Sequence, residues 1–189
     1  VQPPGGRFEV LTLHPDLKVT SIRNSDSTPV DFLGHGDKKS NPVPLYLQWD
    51  RWLSAGDTVE LTFDYEGEVS REARGYFYVT ASALWYPAPV SRRRATFDLR
   101  FGTPASYEFV STGNLTSDRR EGDVRHTRWE LERSTRNVSF SIGATDHIAF
   151  DNPTGPAVEV YYSDELHREL LSSPLATGGR LEKEVAADV

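Results

Sequence analysis

The sequence predicts an all-β protein, built as a twisted, mostly antiparallel β-sandwich with short helices only at its C-terminal end. Three observations lead to this prediction. Apolar and polar residues alternate with a period of two in several segments, as they do along half-buried strands. Turn-forming clusters separate these segments at intervals of roughly ten residues. Helical patterning begins only after Tyr162.

The predicted strands number about eleven and follow one another along the chain. In the predicted strand over residues 125–132, Trp129 and Leu131 face inward and His126 outward, because successive side chains of a strand point to opposite faces. In chain order, the predicted strands are residues 8–13, 17–22, 30–33, 45–49, 58–65, 76–79, 95–101, 107–111, 125–132, 138–142 and 158–162. Turn clusters punctuate them at residues 24–27, 34–37, 54–57 and 121–123.

Helical signals are confined to the last part of the chain. Ser163 can cap a helix over residues 164–171, and acidic residues favour its first turn. A second helical pattern covers residues 180–189, where Leu181 and Val185 are spaced i, i+4. This last pattern stops in mid-face, without a closing Gly, Asn or Pro. We therefore expect a fragment of a longer polypeptide.

The composition limits the classes of function. The 189 residues include 21 Lys and Arg against 28 Asp and Glu, a net charge of −7, which argues against nucleic-acid binding driven by counterion release. Hydrophobic residues make up 37% and aromatic residues 11%, enough for a globular core. The apolar runs are too short to cross a bilayer, so we expect no membrane segment. There is no Cys for a disulfide, thiol nucleophile or thiolate metal site. Localisation stays open, with a soluble, extracytoplasmic protein as one expectation.

Catalytic and metal motifs are not evident. The five histidines, each interpreted as an exposed strand or loop residue, are His14, His35, His126, His147 and His167, and no Gly-x-Ser-x-Gly occurs. The nearest approaches to a metal site are His35-x-Asp37, Asp146-His147 and Asp151, and each is interpreted as polar residues of a solvated loop. Residues 165–169 lack the second His of a helical zinc motif. We predict no catalytic, cofactor-binding or metal-binding residue in this chain.

Two other groups of residues have both a functional and a structural interpretation. The basic cluster Arg92-Arg93-Arg94 stands just before a strand and is interpreted as a solvated strand entry or a contact with an acidic neighbouring domain. The four tryptophans could form a sugar-stacking platform, but packing within the sandwich is favoured; they are Trp49, Trp52, Trp85 and Trp129. Asn114 and Asn137 begin glycosylation-type triplets, which are informative only in a secretory context.

The order of several short segments is more specific than any one of them. In chain order they are Leu11-Thr12-Leu13-His14, Leu17-Lys18-Val19, residues 53–59 and 63–67, Gly75-Tyr76-Phe77-Tyr78, Trp85-Tyr86-Pro87, residues 95–99, Pro104, residues 111–115, Arg128-Trp129-Glu130 and residues 137–143. Together, over residues 8–162, they resemble the amino-terminal domain of M1-family zinc aminopeptidases, most of all the bacterial subgroup with a Trp-Tyr-Pro segment. The resemblance implies a saddle-shaped β domain over residues 1–162 and the start of a truncated, catalytic-type helical domain over residues 163–189.

The resemblance also implies what this chain lacks. The family holds zinc with His-Glu-x-x-His and a later Glu, and holds the substrate amino terminus with Gly-x-Met-Glu-Asn; none of these segments occurs here. Some members also use a Gln from this domain, and residues 80–82 contain none. We therefore expect a non-catalytic domain that docks on, and borders the cleft of, a zinc-containing catalytic domain in the parent polypeptide. The domain would contact peptide substrate only as part of that parent polypeptide.

Within this resemblance, Trp85, Tyr86 and Pro87 are the expected cleft-rim residues, because they are bulky and lie between strands. Two alternatives remain open from the sequence. One is a free-standing binding β-sandwich for carbohydrate or protein that uses exposed aromatic residues. The other is a scaffold domain whose parent has lost its zinc site.

Overall fold

The computed structural model describes residues 6–34, 42–54, 56–73, 75–80, 82–91, 93–150, 153–155, 158–165 and 168. In these residues the fold is almost entirely β, as predicted, and the strand pairs are antiparallel. The strands are β1 (Phe8–Leu13), β2 (Leu17–Asn24), β3 (Asp31–Gly34), β4 (Val43–Gln48), β5 (Leu61–Gly67), β6 (Arg71–Ala73), β7 (Tyr76–Val79), β8 (Ala88–Pro89), β9 (Ala95–Pro104), β10 (Glu108–Ser111), β11 (Asn114–Glu121), β12 (Val124–Thr135), β13 (Phe140–Gly143), β14 (Asp146–Phe150) and β15 (Val158–Tyr162).

The strands form five sheets in the described part of the chain. Two sheets have four strands, in the orders β3-β4-β1-β8 and β10-β13-β7-β6. A third has three strands, in the order β11-β12-β9, and the pairs β2-β5 and β14-β15 complete the set. The chain divides into two compact units, the first comprising Val1–Ser70, Val79–Thr96 and Arg133–Val138, and the second Arg71–Tyr78, Phe97–Glu132 and Ser139–Val189.

The first unit is built around a mostly aliphatic core. Alternation along β4 points Leu45 and Leu47 inward, where they are almost fully buried, while Tyr46 between them stays exposed. The buried cluster consists of Leu11, Ile22, Val30, Leu45, Leu47 and Trp49. Burial of such side chains contributes about 1.5–3 kcal/mol each.

The second unit has an aromatic core. Phe109 on β10 lies 4.4 Å from Phe101, 5.7 Å from Phe140 and 6.4 Å from Trp129, measured between ring centroids. Trp129 is buried, as the alternation of β12 predicted, and His126 is exposed. These tilted and edge-on contacts are the arrangements that aromatic quadrupoles favour.

At the end of the described chain, Asp164, Glu165 and Arg168 have helical backbone, and the other positions of the predicted helix over residues 164–171 lie outside the described residues. The predicted helix over residues 180–189 lies outside the described residues. Among the residues that the structure describes, none belongs to a helix with the length and apolar character that a membrane span requires.

Candidate functional site

The predicted cleft-rim residues form a short segment, residues 85–87, that we call the rim segment. It lies in the first unit between Leu84 and Ala88, both of which are buried. Leu84 has φ of 51°, a left-handed conformation that few residues other than glycine adopt. Its carbonyl accepts a 2.9 Å hydrogen bond from the backbone N–H of His14, and the Ala88 carbonyl accepts one of 3.1 Å from the Thr12 hydroxyl. The segment is therefore anchored at both ends.

The side chains of the rim segment are anchored as well. The Trp85 indole N–H donates to the Val138 carbonyl at 3.0 Å, and the Tyr86 hydroxyl donates to the Arg136 carbonyl at 3.3 Å. The two rings meet edge to face, with centroids 5.1 Å apart. All three rim residues are half-buried. This arrangement offers a fixed aromatic surface for binding.

A second candidate site lies in the second unit. It is an open hollow of about 600 Å³, which we call the acidic hollow. The residues that line it are Gly75, Tyr76, Ser106, Tyr107, Glu108, Ala144, Thr145, Asp146, Ser163, Asp164, Glu165 and Arg168. Four carboxylates and the Arg168 guanidinium border it, and Glu108 is already paired with Arg125 and Arg120. The other three carboxylates still outnumber Arg168, and this balance favours a cationic group over an anion. Close packing shapes its wall, since a Cβ atom on Gly143 would lie 2.9 Å from the Tyr76 ring.

Glu108 in the acidic hollow is held by the buried guanidinium of Arg125. Arg125 also forms a two-pronged ion pair with Asp118, with Nε–Oδ1 at 2.9 Å and Nη2–Oδ2 at 2.7 Å. A third guanidinium nitrogen donates to Glu108. The hydrogen bonds to Asp118 raise the pKa of Arg125, and those from Arg125 lower the pKa of Asp118. Arg125 is thus charged at any ordinary pH, and it fixes one carboxylate of the hollow.

The three histidines that the structure describes each lie close to acidic or aromatic side chains. His14 lies 3.7 Å from Asp16, His126 lies 4.0 Å from Glu121, and the ring of His147 stacks on Tyr161 at 4.5 Å. In the described ranges, no three His, Cys, Asp or Glu side chains converge in a way that could hold a metal ion. His35, Asp37, Arg92, Asp151, His167 and Glu169 lie outside the described residues.

The tryptophans do not share one environment. Trp49 and Trp129 are buried in the two cores, while Trp52 is 65% exposed. Arg94, the residue before β9, donates a long hydrogen bond of 3.4 Å to the carbonyl of Ser134 on β12. The sequence reasoning missed the Arg125 ion pairs and the acidic hollow. The one available signal was an Arg at an inward position of a strand, since such a residue needs a buried partner.

Comparison with known proteins identifies the fold. No protein-family model matches the sequence, and no curated protein matches it. Solved structures do match in fold. A Deinococcus radiodurans M1 zinc metallopeptidase variant bound to a Tyr-Ser-Ala substrate is 14% identical, with a TM-score of 0.69, over 86% of this chain and 41% of that chain. The chain has the fold of part of an M1 zinc metallopeptidase. The resemblance found in the sequence is thereby confirmed at the level of fold.

Two further M1 structures show the same relation. A two-domain M1 zinc metallopeptidase bound to L-tryptophan is 15% identical, with a TM-score of 0.64, over 82% of this chain and 39% of that chain. Legionella pneumophila aminopeptidase A in complex with aspartic acid is 13% identical, with a TM-score of 0.68, over 85% of this chain and 20% of that chain. This chain therefore spans from one fifth to about two fifths of the M1 structures that it resembles.

Proposed function

We propose that this chain is the non-catalytic amino-terminal β domain of an M1-like zinc metallopeptidase. One observation carries the proposal: the match takes in most of this chain but only 39% of a two-domain M1 zinc metallopeptidase. The remaining part of such a protein is where zinc and catalytic residues would lie. The sequence here supplies neither His-Glu-x-x-His nor any Met, so it lacks the two family segments that hold zinc and the substrate amino terminus.

In this proposal, residues 1–162 form the β domain and residues 163–189 begin the catalytic domain. The β domain docks on the catalytic domain, and the rim segment borders the active-site cleft. The rigid anchoring of Trp85 and Tyr86 suits a cleft wall, because a wall that already holds its bound geometry loses little entropy when substrate binds. Zinc in the catalytic domain would polarise the scissile carbonyl and activate water.

The experiment compares this chain with the polypeptide encoded through and beyond Val189. We expect the longer protein to hold one zinc ion by elemental analysis and to hydrolyse an aminoacyl reporter until a chelator removes the metal. We expect the 189-residue chain to do neither. One tightly bound zinc and chelator-sensitive activity in the 189-residue chain would overturn the proposal.

The rim role has its own test in the longer protein. Tyr86→Ala should raise KM for peptide substrates by several-fold with little change in kcat, since it removes a binding surface and no reacting group. Tyr46→Ala is the matched control, because Tyr46 is an exposed tyrosine on β4 outside the rim segment. Equal KM values for the two variants would exclude Tyr86 from the cleft.

A further inference from the structure

The hairpin of β14 and β15 carries an exposed apolar face. Ile148 pairs with Val160, and Phe150 pairs with Val158. Because alternate residues of a strand share a face and directly paired residues lie on the same side, these four side chains form one continuous patch, which we call the hairpin face. Each of the four residues is between 41% and 53% exposed. Singly such residues are ordinary on a surface, whereas a contiguous apolar group is a candidate interaction site.

The opposite side of the same hairpin satisfies itself. The His147 ring stacks on Tyr161, and the Tyr161 hydroxyl donates a 3.0 Å hydrogen bond to Glu159. The hairpin face has only apolar groups, which gain from burial and not from water. A two-stranded hairpin is marginal in water unless another strand, sheet or helix covers its apolar side. The hairpin face is therefore the side that needs a partner.

The charges beside the hairpin face describe that partner. Asp146, the first residue of β14, also lines the acidic hollow, together with Glu108, Asp164 and Glu165. A complementary surface has an apolar centre flanked by Lys or Arg. A second copy of this chain fits poorly, because its net charge is −7 and its own face would bring another acidic hollow with it.

We propose that the hairpin face is the docking surface for the domain that follows in the same polypeptide, which covers Ile148, Phe150, Val158 and Val160 and places basic side chains over the acidic hollow. The inference rests on the proposed function, since it needs a following domain. The chain leaves β15 at Tyr162, which pairs with Asp146, and is helical at Asp164, so the following chain starts at the base of this hairpin. A covalently tethered domain meets the face at high effective concentration. About three fifths of the two-domain M1 structure lies outside the match and is large enough to supply the cover.

The test measures amide hydrogen exchange over residues 146–162 in the 189-residue chain and in the longer polypeptide. We expect at least tenfold slower exchange of these amides in the longer protein. Ile148→Asn with Val160→Asn should abolish this difference, because the two changes remove a cross-strand apolar pair. Ala149→Asn is the matched control, since Ala149 lies on the same strand and points to the opposite side. It should keep the protection.

Thermal unfolding of the 189-residue chain guards against a folding artefact. The double variant should change its thermal midpoint by no more than about 2 °C, because the substituted residues are exposed there. Equal exchange in the short and long proteins, or unchanged protection in the double variant, would overturn the inference. So would a coding sequence that ends at Val189, or an Ile148-dependent dimer of the 189-residue chain.

Zinc content and reporter hydrolysis separate this inference from the proposed function. A zinc-loaded, active longer protein with an unprotected hairpin would refute the docking surface alone. A longer protein without zinc or activity that still protects the hairpin would refute the metallopeptidase proposal alone.

Discussion

Arg125 offers the sharpest test of how the second unit is held together. Arg125 is 8% exposed, and its guanidinium contacts Asp118, Glu108 and the carbonyl of Tyr107. Arg125→Met keeps much of the side-chain length and removes the charge. Breaking a buried ion pair from one side costs about 3–5 kcal/mol, because the remaining charge stays buried without a partner. In Arg125→Met, water can solvate the two remaining carboxylates, since the side chains of Asp118 and Glu108 are 34% and 44% exposed.

We therefore halve the cost to about 1.5–2.5 kcal/mol in free energy of unfolding. For a protein of this size that corresponds to a fall in thermal midpoint of roughly 3–10 °C. The matched control is Arg120→Met. Arg120 lies on the neighbouring strand, is 61% exposed and is 3.7 Å from the same Glu108. Exposed pairs of this kind contribute at most about 1 kcal/mol, so the control should shift the midpoint much less.

The stability difference between the native chain and Arg125→Met should also depend on pH. The ion pair lowers the pKa of Asp118, so its stabilising effect is complete above the ordinary carboxyl pKa of about 3.8 and is lost as the pH falls through the lowered value. The gap in midpoint between the native chain and Arg125→Met should therefore be constant from pH 7 to pH 5 and narrow below pH 4. Circular dichroism at the wavelength of the β-strand signal measures the thermal midpoints of the native chain and of Arg125→Met at each pH.

A second substitution separates an unpaired charge from a simple packing loss. Changing Asp118→Leu in the Arg125→Met background removes the orphaned carboxylate and should recover part of the lost stability, because a well-packed apolar pair can replace a buried ion pair. If Arg125→Met and Arg120→Met lower the midpoint equally, or if the effect does not change with pH, the ion-pair reasoning is wrong.

Three further predictions are simpler. Hydrogen bonds from Arg128 and Arg100 lower the pKa of Asp98 to about 2, and Arg128→Gln should raise it toward 3.8 in a carboxyl NMR titration; an unchanged value would exclude that bond in solution. Gly143→Ala should lower the free energy of unfolding by about 1–3 kcal/mol, because the added methyl group overpacks against the Tyr76 ring. Gly102→Ala is the control, since its nearest contact would be 3.7 Å, and it should leave thermal unfolding unchanged. Equal effects of the two substitutions would refute the packing argument. Deleting residues 173–189 should leave the midpoint nearly unchanged, and a fall of several degrees would show that they belong to this fold.

The sequence predicted the strands best where one face is buried. In β12, alternation placed Trp129 inside and His126 outside, and both positions are confirmed. It did not predict β11, because nearly every residue of this strand is exposed and polar. It did not predict β14 either, because that strand is exposed and only Ile148 and Phe150 mark its apolar face. Their conformation is set by pairing with β12 and β15, a long-range property that a local pattern does not contain.

The bounds of β5 show the same limit. Alternation predicted a strand from residue 58, but β5 begins at Leu61. The partner strand β2 ends at Asn24, which pairs with Leu61, and a turn follows directly. Residues 58–60 therefore have no partner on β2 and stay outside the ladder, and Val59 remains 36% exposed.

The candidate sites were predictable to different degrees. The rim segment was predicted as bulky residues in a loop, and the structure places it between β7 and β8. Its anchoring was not predicted, because the acceptors for Trp85 and Tyr86 are backbone carbonyls about fifty residues away. The acidic hollow combines residues from β7, β10, β14 and the chain after β15. No spacing in the sequence brings such residues together; only the sheet register does.

The rim segment and the hairpin face differ in how their structure is maintained, and this difference fits their proposed roles. The rim segment has its own hydrogen bonds and buried neighbours, so its geometry does not depend on a partner. The hairpin face has exposed apolar groups on a two-stranded ribbon, so its order depends on what covers it. Binding that orders a marginal segment loses part of the interaction energy to ordering, whereas binding to a rigid surface does not. With a permanently tethered domain, the ordering of the marginal segment occurs once, during folding. With a substrate, it would have to occur in every turnover. The rigid segment is therefore the better candidate for substrate contact, and the marginal hairpin the better candidate for a permanent interface.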